Sequence, residues 1–246
     1  MFFSPLEQFD TVTLAFFSMF GLDLSLNSIV IPIFIVLVAF TSYLLFIMTS
    51  YAFIPGFWQL LLENIFFFVL NIIEEQIGRK GYVYLPLLLS LFVFILLSNL
   101  LSMTPFSVAI TSHIALIFLM SLSIGISSVI LGLYLHGTSF FKLFIPECPL
   151  ALLPFLILIE LFSFVIKFIS LAIRLSANIM AGHTLVHIIA LFVVTIFALS
   201  YWLVLLFGPL LLAILLLEVG VAFLQAYVFV VLVCIYLSDS LNLPSH

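Results

Sequence analysis

Long apolar stretches recur along the whole chain and are separated by short polar segments. Residues 29–53 carry no charged side chain, and two further stretches cover residues 82–104 and 112–135. A helix that crosses a membrane needs about 20 predominantly apolar residues, so each stretch is long enough for one crossing. The pattern predicts an all-α, polytopic membrane protein that forms a single membrane domain over residues 1–246.

Residues 57–77 mix aromatic and aliphatic side chains with carboxylates and amides. Asn71 and Glu74 follow Glu63 by 8 and 11 residues, so all three polar groups fall on one side of a helix. Such a helix is expected to lie in the membrane interface rather than to cross the bilayer. Glu63, Glu74 and Glu75 are then predicted to form a solvated face.

The last third of the chain, residues 150–237, is almost continuously apolar and is divided by Gly182-His183 and Gly208-Pro209. Windows of about 20 residues give three upright crossings, but two long and strongly tilted helices fit the same length. Length alone leaves both arrangements open. The sequence contains no internal repeat that would support an inverted-repeat transporter.

Composition excludes a soluble protein and a nucleic-acid-binding protein. Of 246 residues, 67% are hydrophobic and 6% are charged, whereas soluble domains carry roughly a quarter charged residues. A formal net charge of −5 offers no basic surface for nucleic acid. Cys148 and Cys234 have neither metal-ligand nor disulfide spacing, so we interpret both as small hydrophobic residues.

The few basic residues predict the orientation of the chain in the membrane. Arg79, Lys80 and Lys142 are separated by two predicted crossings and so lie on the same side, which is the cytoplasmic or matrix side. The acidic N-terminal segment, residues 1–10, resembles neither a signal peptide nor a transit peptide. We therefore expect synthesis where the chain is inserted, in a bacterium or in an organelle with its own ribosomes.

Several ionisable residues interrupt the apolar last third. Placing an ionised side chain at the centre of a bilayer costs at least about 2.5 kcal/mol of free energy. Each of these residues is therefore expected to have a charged partner, contact with water or a functional role. Glu160, Lys167 and Arg174 are spaced seven residues apart. On a helix they form a single polar stripe, about 80° wide, together with Ser163, Ser170 and Asn178. His183 and His187 point toward the opposite side of that helix.

The final helix has a similar polar face. Glu218 and Gln225 are seven residues apart, and Tyr236 and Asp239 continue that face to within about 60°. About 31 Å of helix separates Glu218 from Asp239, which is close to the hydrocarbon thickness, so one carboxylate would serve each side of the membrane.

These spacings indicate two proton-carrying half-paths with a permanent cation between them. Glu, Asp and His exchange protons, whereas Arg stays protonated. Arg174 would therefore block a leak between the half-paths. It would also attract a carboxylate on a mobile partner and favour its ionised form.

The same residues have purely structural interpretations. Glu160, Lys167 and Arg174 could neutralise one another within a helix bundle, although buried ion pairs are poor stabilisers. His183 and His187 could be neutral and bonded to the backbone, which we favour for His187. The two histidines have no His-Glu-x-x-His motif and no third ligand nearby, so we expect no metal site.

Residues 168–183 read FISLAIRLSANIMAGH and resemble the signature around the essential arginine of subunit a of the rotary F-type ATP synthase. Residues 217–229 (LEVGVAFLQAYVF) and 236–239 (YLSD) are similar to the last helix of that family. A weaker resemblance covers nearly the whole length, including residues 4–9, 75–78, 99–105 and 111–113.

This resemblance implies a stator that lies beside a ring of c subunits, each of which carries one membrane-embedded carboxylate. The two final helices, 149–190 and 192–238, would lie almost flat against the ring. Arg174 matches the arginine that faces the ring carboxylate, and Gln225 matches the glutamine near it. Ser176 departs from the residue common after Arg-Leu in the family, and Lys167 stands where members vary.

The resemblance also implies two half-channels. His183 and Glu218 match the half-channel on the proton-source side, and Glu160 and Asp239 match the one on the matrix side. Asn178 matches the asparagine four residues after the arginine. A histidine in MAGH with a glutamate in the last helix is the mitochondrial arrangement, which favours the mitochondrial inner membrane over the alternative, a bacterial plasma membrane.

The implied partners are the c-subunit ring, the peripheral stalk subunit b, small membrane subunits and membrane lipid. No cofactor is expected, and the chain would catalyse no bond chemistry, since ADP would be phosphorylated in a separate catalytic head. Three alternatives remain open on sequence alone. They are a proton- or cation-coupled secondary transporter, a membrane-arm subunit of the respiratory chain, and a structural scaffold in which Arg174→Ala would leave proton flux intact.

Overall fold

The structure is a computed structural model. It describes residues 13–15, 18–19, 22–23, 26–28, 30–49, 56–103, 113–137, 139–140, 152–197 and 201–242. Several features of the sequence lie outside these residues: the N-terminal segment 1–10, Lys142 and Cys148.

Two short antiparallel strand pairs precede the helices. β1 (Thr13–Ala15) pairs with β4 (Leu26–Asn27), and β2 (Ser18–Met19) pairs with β3 (Leu22–Asp23). The apolar pattern does not predict these strands, because none is long enough to show a periodicity.

Four helices occupy the middle of the chain. They are α1 (Val30–Thr49), α2 (Phe57–Gln76), α3 (Leu85–Ser102) and α4 (Ile114–His136). A 3-10 helix at Arg79–Tyr84 joins α2 to α3. Gly78, at the junction, has a φ of +79°, a conformation that favours glycine because it has no Cβ.

Two long helices form the last third. α5 (Leu153–Phe197) has 45 residues and α6 (Tyr201–Leu241) has 41. Of the two arrangements that length allows, the structure therefore has two long helices rather than three short ones. Gly182 and Gly208-Pro209 lie inside these helices and do not end them.

The predicted fold class, an all-α polytopic membrane protein, is confirmed. Among the described residues, five helices are long and apolar enough to cross a membrane, and a shorter apolar helix covers Val30–Leu45. α2 is one of the five by length and composition. Its carboxylates Glu63, Glu74 and Glu75 are exposed, and its interfacial position stays a prediction.

The chain forms two compact units. The first comprises Met1–Phe46, Val93–His113 and Leu175–Ala226, and the second comprises Ile47–Phe92, Ile114–Arg174 and Tyr227–His246. Each has its own buried core. Ile95, Leu175, Ile179 and Ala222 are buried in the first unit, and Val69, Leu88, Phe92, Phe168 and Phe229 are buried in the second.

Small residues on α4 let aromatic side chains approach its backbone within the second unit. The buried positions of α4 are Ile117, Ser121, Gly125, Ser128 and Gly132. A Cβ at Gly125 would stand 2.7 Å from the Phe168 ring, and one at Gly132 would clash with the Phe140 ring. Close packing against small residues is how membrane helices associate, since lipid provides no hydrophobic driving force between them.

Candidate functional site

In the second unit, α5 and α6 bring three predicted charged residues together. Glu160 and Lys167 on α5 both act electrostatically on Asp239 of α6. Glu160 and Asp239 are half-buried, whereas Lys167 is exposed. We call Glu160, Lys167 and Asp239 the charge cluster. The two carboxylates that the resemblance assigns to one half-channel therefore lie within electrostatic reach of each other, as does Lys167 of Asp239.

A groove of about 630 Å³ between α5 and α6 of the second unit contains most of the polar stripe predicted on α5. Ser163, Lys167, Ser170 and Arg174 line it, and Tyr227 faces them from α6. The remaining lining residues are aliphatic or aromatic. The helical spacing in the sequence therefore predicts correctly that these four residues share one face.

Arg174 lies near the middle of α5 with an exposed side chain. Beside the polar stripe, α5 exposes apolar side chains: Ile166 is 57% exposed and Ile173 is 51% exposed. An exposed guanidinium on such a helix requires an anionic partner or water when the helix is embedded in a membrane.

In the first unit, the polar side chains of α6 are buried. Glu218 is 6% exposed and Gln225 is 9% exposed, and Ala222 between them is fully buried. Both side chains therefore belong to the inward face of α6, as their seven-residue spacing predicts. Within the described part of the chain, Glu218 Oε1 is buried and accepts no hydrogen bond.

Gly182 of α5 leaves the space that the Glu218 side chain occupies. A Cβ at Gly182 would stand 2.8 Å from Glu218 Oε1 and 3.1 Å from the Glu218 carboxyl carbon. His183 follows Gly182 directly on the same helix and is half-buried, as is Asn178. The structure thus places the MAGH segment beside the Glu218 carboxyl group.

Asn99 is a candidate that the sequence analysis does not single out. It is fully buried on α3 of the first unit, and its Nδ2 donates a hydrogen bond to the Ala222 carbonyl oxygen at 3.3 Å. Ala222 is one helical turn after Glu218, so Asn99 ties α3 to α6 one turn away from Glu218. An amide within the apolar run of residues 85–103 is the signal that would have pointed to it.

Most of the candidate side chains are ionisable. Glu218, His183, Glu160 and Asp239 gain and lose protons, while Arg174 stays charged. Among the described residues, no group of three or more His, Cys, Asp or Glu side chains could hold a metal ion. His187 is half-buried, and nothing in the structure assigns it a role.

Comparison with known proteins gives a match that spans almost the whole chain. Residues 28–238 match the family model described as ATP synthase A chain. The chain is 42% identical over 250 residues to "ATP synthase subunit a" of Chondrus crispus, covering 98% of this chain and 96% of that protein. It is 38% identical over 247 residues to "ATP synthase subunit a" of Acanthamoeba castellanii, covering 98% and 99%.

Proposed function

The chain belongs to the ATP synthase subunit a family, and on that premise we propose that Arg174 separates two half-channels that load and unload protons on a rotating ring. As a member, it is a multi-pass, proton-translocating stator subunit of the ATP synthase complex and is not catalytic alone. Membership also decides against the secondary-transporter, respiratory-chain and scaffold alternatives.

The exposed position of Arg174 is the observation that carries the proposal. On a lipid-facing surface this guanidinium would bear the full cost of a charge in hydrocarbon. Opposite a carboxylate on a neighbouring subunit it would be paired, and it would favour the ionised form of that carboxylate. A ring of c subunits, each with one membrane-embedded carboxylate, supplies such a partner, so we place Arg174 against the ring.

The matrix-side half-channel is proposed to run through Glu160 and Asp239. The electrostatic interaction of Glu160 and Lys167 with Asp239 supports this assignment, because it places both carboxylates in the same part of the second unit. Both side chains are half-buried, which leaves room for contact with water. Lys167 adds a positive charge that acts on Asp239.

The source-side half-channel is proposed to run through His183 and Glu218, with Asn178 and Gln225 as hydrogen-bonding residues. Glu218 is buried, and its Oε1 accepts no hydrogen bond from any described residue. This oxygen is therefore available to bind a water or a proton that enters the half-channel. Gln225 is buried on the same face of α6 and would orient waters or the ring carboxylate.

The ring, the peripheral stalk subunit b and small membrane subunits are the proposed partners within the complex, with lipid around them. The mitochondrial inner membrane is the proposed location, in preference to a bacterial plasma membrane. Two observations support it: both relatives come from eukaryotes, and a histidine in MAGH with a glutamate in the last helix is the mitochondrial arrangement.

ATP-driven proton pumping in vesicles that contain the whole complex tests the proposal. Arg174→Ala should abolish coupled pumping and should open a passive proton leak after the catalytic head is removed. The matched control is Arg79→Ala, which deletes an exposed guanidinium of the 3-10 helix and should retain pumping. Coupled pumping at the wild-type rate in Arg174→Ala would show that another residue separates the half-channels.

A further inference from the structure

Tyr236 combines a tightly packed ring with an unsatisfied hydroxyl group. Its side chain is 2% exposed in the second unit. The ring centroid lies 4.3 Å from that of Phe168 and 6.0 Å from that of Phe164, both on α5. The hydroxyl oxygen is buried and forms no hydrogen bond with any described residue.

A buried hydroxyl group without a partner is costly. Leaving such a group unpaired costs about 1–3 kcal/mol, and buried polar groups in native proteins are bonded to protein or to ordered water. A phenylalanine at position 236 would keep the ring and avoid that cost. Packing of the ring therefore does not explain why the residue is a tyrosine.

The surroundings of Tyr236 supply that reason. Asp239 lies one helical turn further along α6 and interacts electrostatically with Tyr236. Glu160 and Lys167 act on the same carboxylate from α5, and Lys80 reaches the same end of α6 through a hydrogen bond to Asn242. A buried water needs at least two polar partners, and the Tyr236 hydroxyl and the Asp239 carboxylate are two groups that can serve.

We propose that Tyr236 is a further positioning residue of the matrix-side half-channel, an inference that rests on the function proposed for that half-channel. It holds an ordered water next to Asp239 and orients it for proton transfer. The hydroxyl donates a hydrogen bond to the water, and the water donates one to the Asp239 carboxylate. The proton passes through the water to Asp239, and the hydroxyl keeps its own hydrogen throughout.

The packing around the ring keeps the hydroxyl in place. Phe168 is 4% exposed and is held against α4 at Gly125, where a Cβ would stand 2.7 Å from its ring. Phe164 stacks edge-on against both Phe168 and Tyr236. Because the tyrosine ring cannot swing away, its hydroxyl stays at a constant position relative to Asp239.

Tyr236→Phe in the whole complex tests the role, because it deletes one oxygen atom and keeps the ring. We expect normal assembly, a severalfold fall in proton flux, and a shift of the half-maximal flux toward higher pH on the matrix side. The pH shift arises because an ionised Asp239 would lose a hydrogen-bonded water. Tyr134→Phe removes the hydroxyl of an exposed tyrosine on α4 and should change neither property.

Wild-type flux with an unchanged pH profile in Tyr236→Phe would overturn the inference. Failure of Tyr236→Phe to assemble would also overturn it, since the hydroxyl would then serve the packing. Asp239→Asn separates this inference from the proposed function. If Asp239→Asn blocks flux and Tyr236→Phe does not, only the role of Tyr236 is wrong. If Asp239→Asn conducts normally, the matrix-side half-channel itself is wrong.

Discussion

Gly182 on α5 and Glu218 on α6 are in such close contact that any side chain at position 182 would intrude on the carboxyl group, with a Cβ only 2.8 Å from Oε1. A separation below 3.0 Å forces the carboxyl group to move. The glycine therefore sets the position of an ionisable side chain, although it has no chemistry of its own.

Gly182→Ala should lower proton flux severalfold and leave assembly close to normal, because the flexible end of Glu218 can turn aside. Gly182→Val should lower it further, since the larger side chain demands a larger displacement. Proton uptake by vesicles gives the measurement. Gly208→Ala is the control, because nothing lies within 4 Å of a Cβ there. Equal flux in Gly182→Val and in the wild type would exclude the positioning role.

Glu218→Gln should slow proton entry strongly while the complex still assembles. Glutamine matches glutamate in size and still forms hydrogen bonds, but it cannot release a proton. Passive proton conductance of the membrane sector is the measurement, with assembly checked by co-purification of partner subunits. Glu75→Gln alters an exposed carboxylate of α2 and should leave conductance unchanged. Normal conductance in Glu218→Gln would remove Glu218 from the path.

Asn99→Leu should destabilise the complex modestly. The substitution removes the hydrogen bond from Nδ2 to the Ala222 carbonyl oxygen, and interhelical hydrogen bonds in membrane proteins contribute about 0.6–2 kcal/mol. The midpoint of thermal aggregation reports the loss. Ser123→Ala should have no such effect, because its exposed hydroxyl bonds only within α4. A midpoint unchanged in Asn99→Leu would mean that the bond contributes nothing to stability.

Gly125→Leu should prevent most of the complex from assembling, because the new side chain would occupy the position of the Phe168 ring. Phe168→Ala in the same chain should partly restore assembly by making room. The yield of assembled complex on a native gel distinguishes the single from the double variant. Identical yields of the two would show that the defect does not come from this contact.

His113 should make the thermal stability of the protein depend on pH. It lies directly before α4, outside the membrane-spanning helices, and burial lowers the pKa of its imidazole below the usual 6.5. The imidazole of the unfolded chain binds a proton more readily than that of the folded protein. The neutral His113 therefore makes its full contribution to the free energy of unfolding above about pH 6.5, and this contribution declines as the pH falls toward the folded-state pKa. His113→Gln should flatten the dependence of the thermal midpoint on acidity. The same slope in both proteins would contradict this.

The sequence predicts what depends on spacing along one helix. Intervals of four and seven residues place Ser163, Lys167 and Arg174 in one groove, and an interval of seven puts Glu218 and Gln225 on one buried face. Apolar length likewise predicts an all-α membrane protein. Both predictions are local, because helical geometry alone converts a sequence interval into a direction.

Contacts between distant segments could not be predicted in this way. Asn99 and Ala222 are 123 residues apart, and the sequence pattern around one of them does not indicate that it contacts the other. Apolar length alone also leaves the number of helices in the last third open, and only the family resemblance implies two long ones. Inside a membrane, neighbouring groups satisfy the backbone that proline frees, so α6 continues through Pro209.

The division of the chain into two units has a consequence for its evolution. Each unit closes its own core, and the boundaries fall inside α5 after Arg174 and inside α6 after Ala226. Exchanging one core whole between related proteins would need crossovers at all five unit boundaries, of which these are the last two, because each unit is assembled from three separate stretches of the chain.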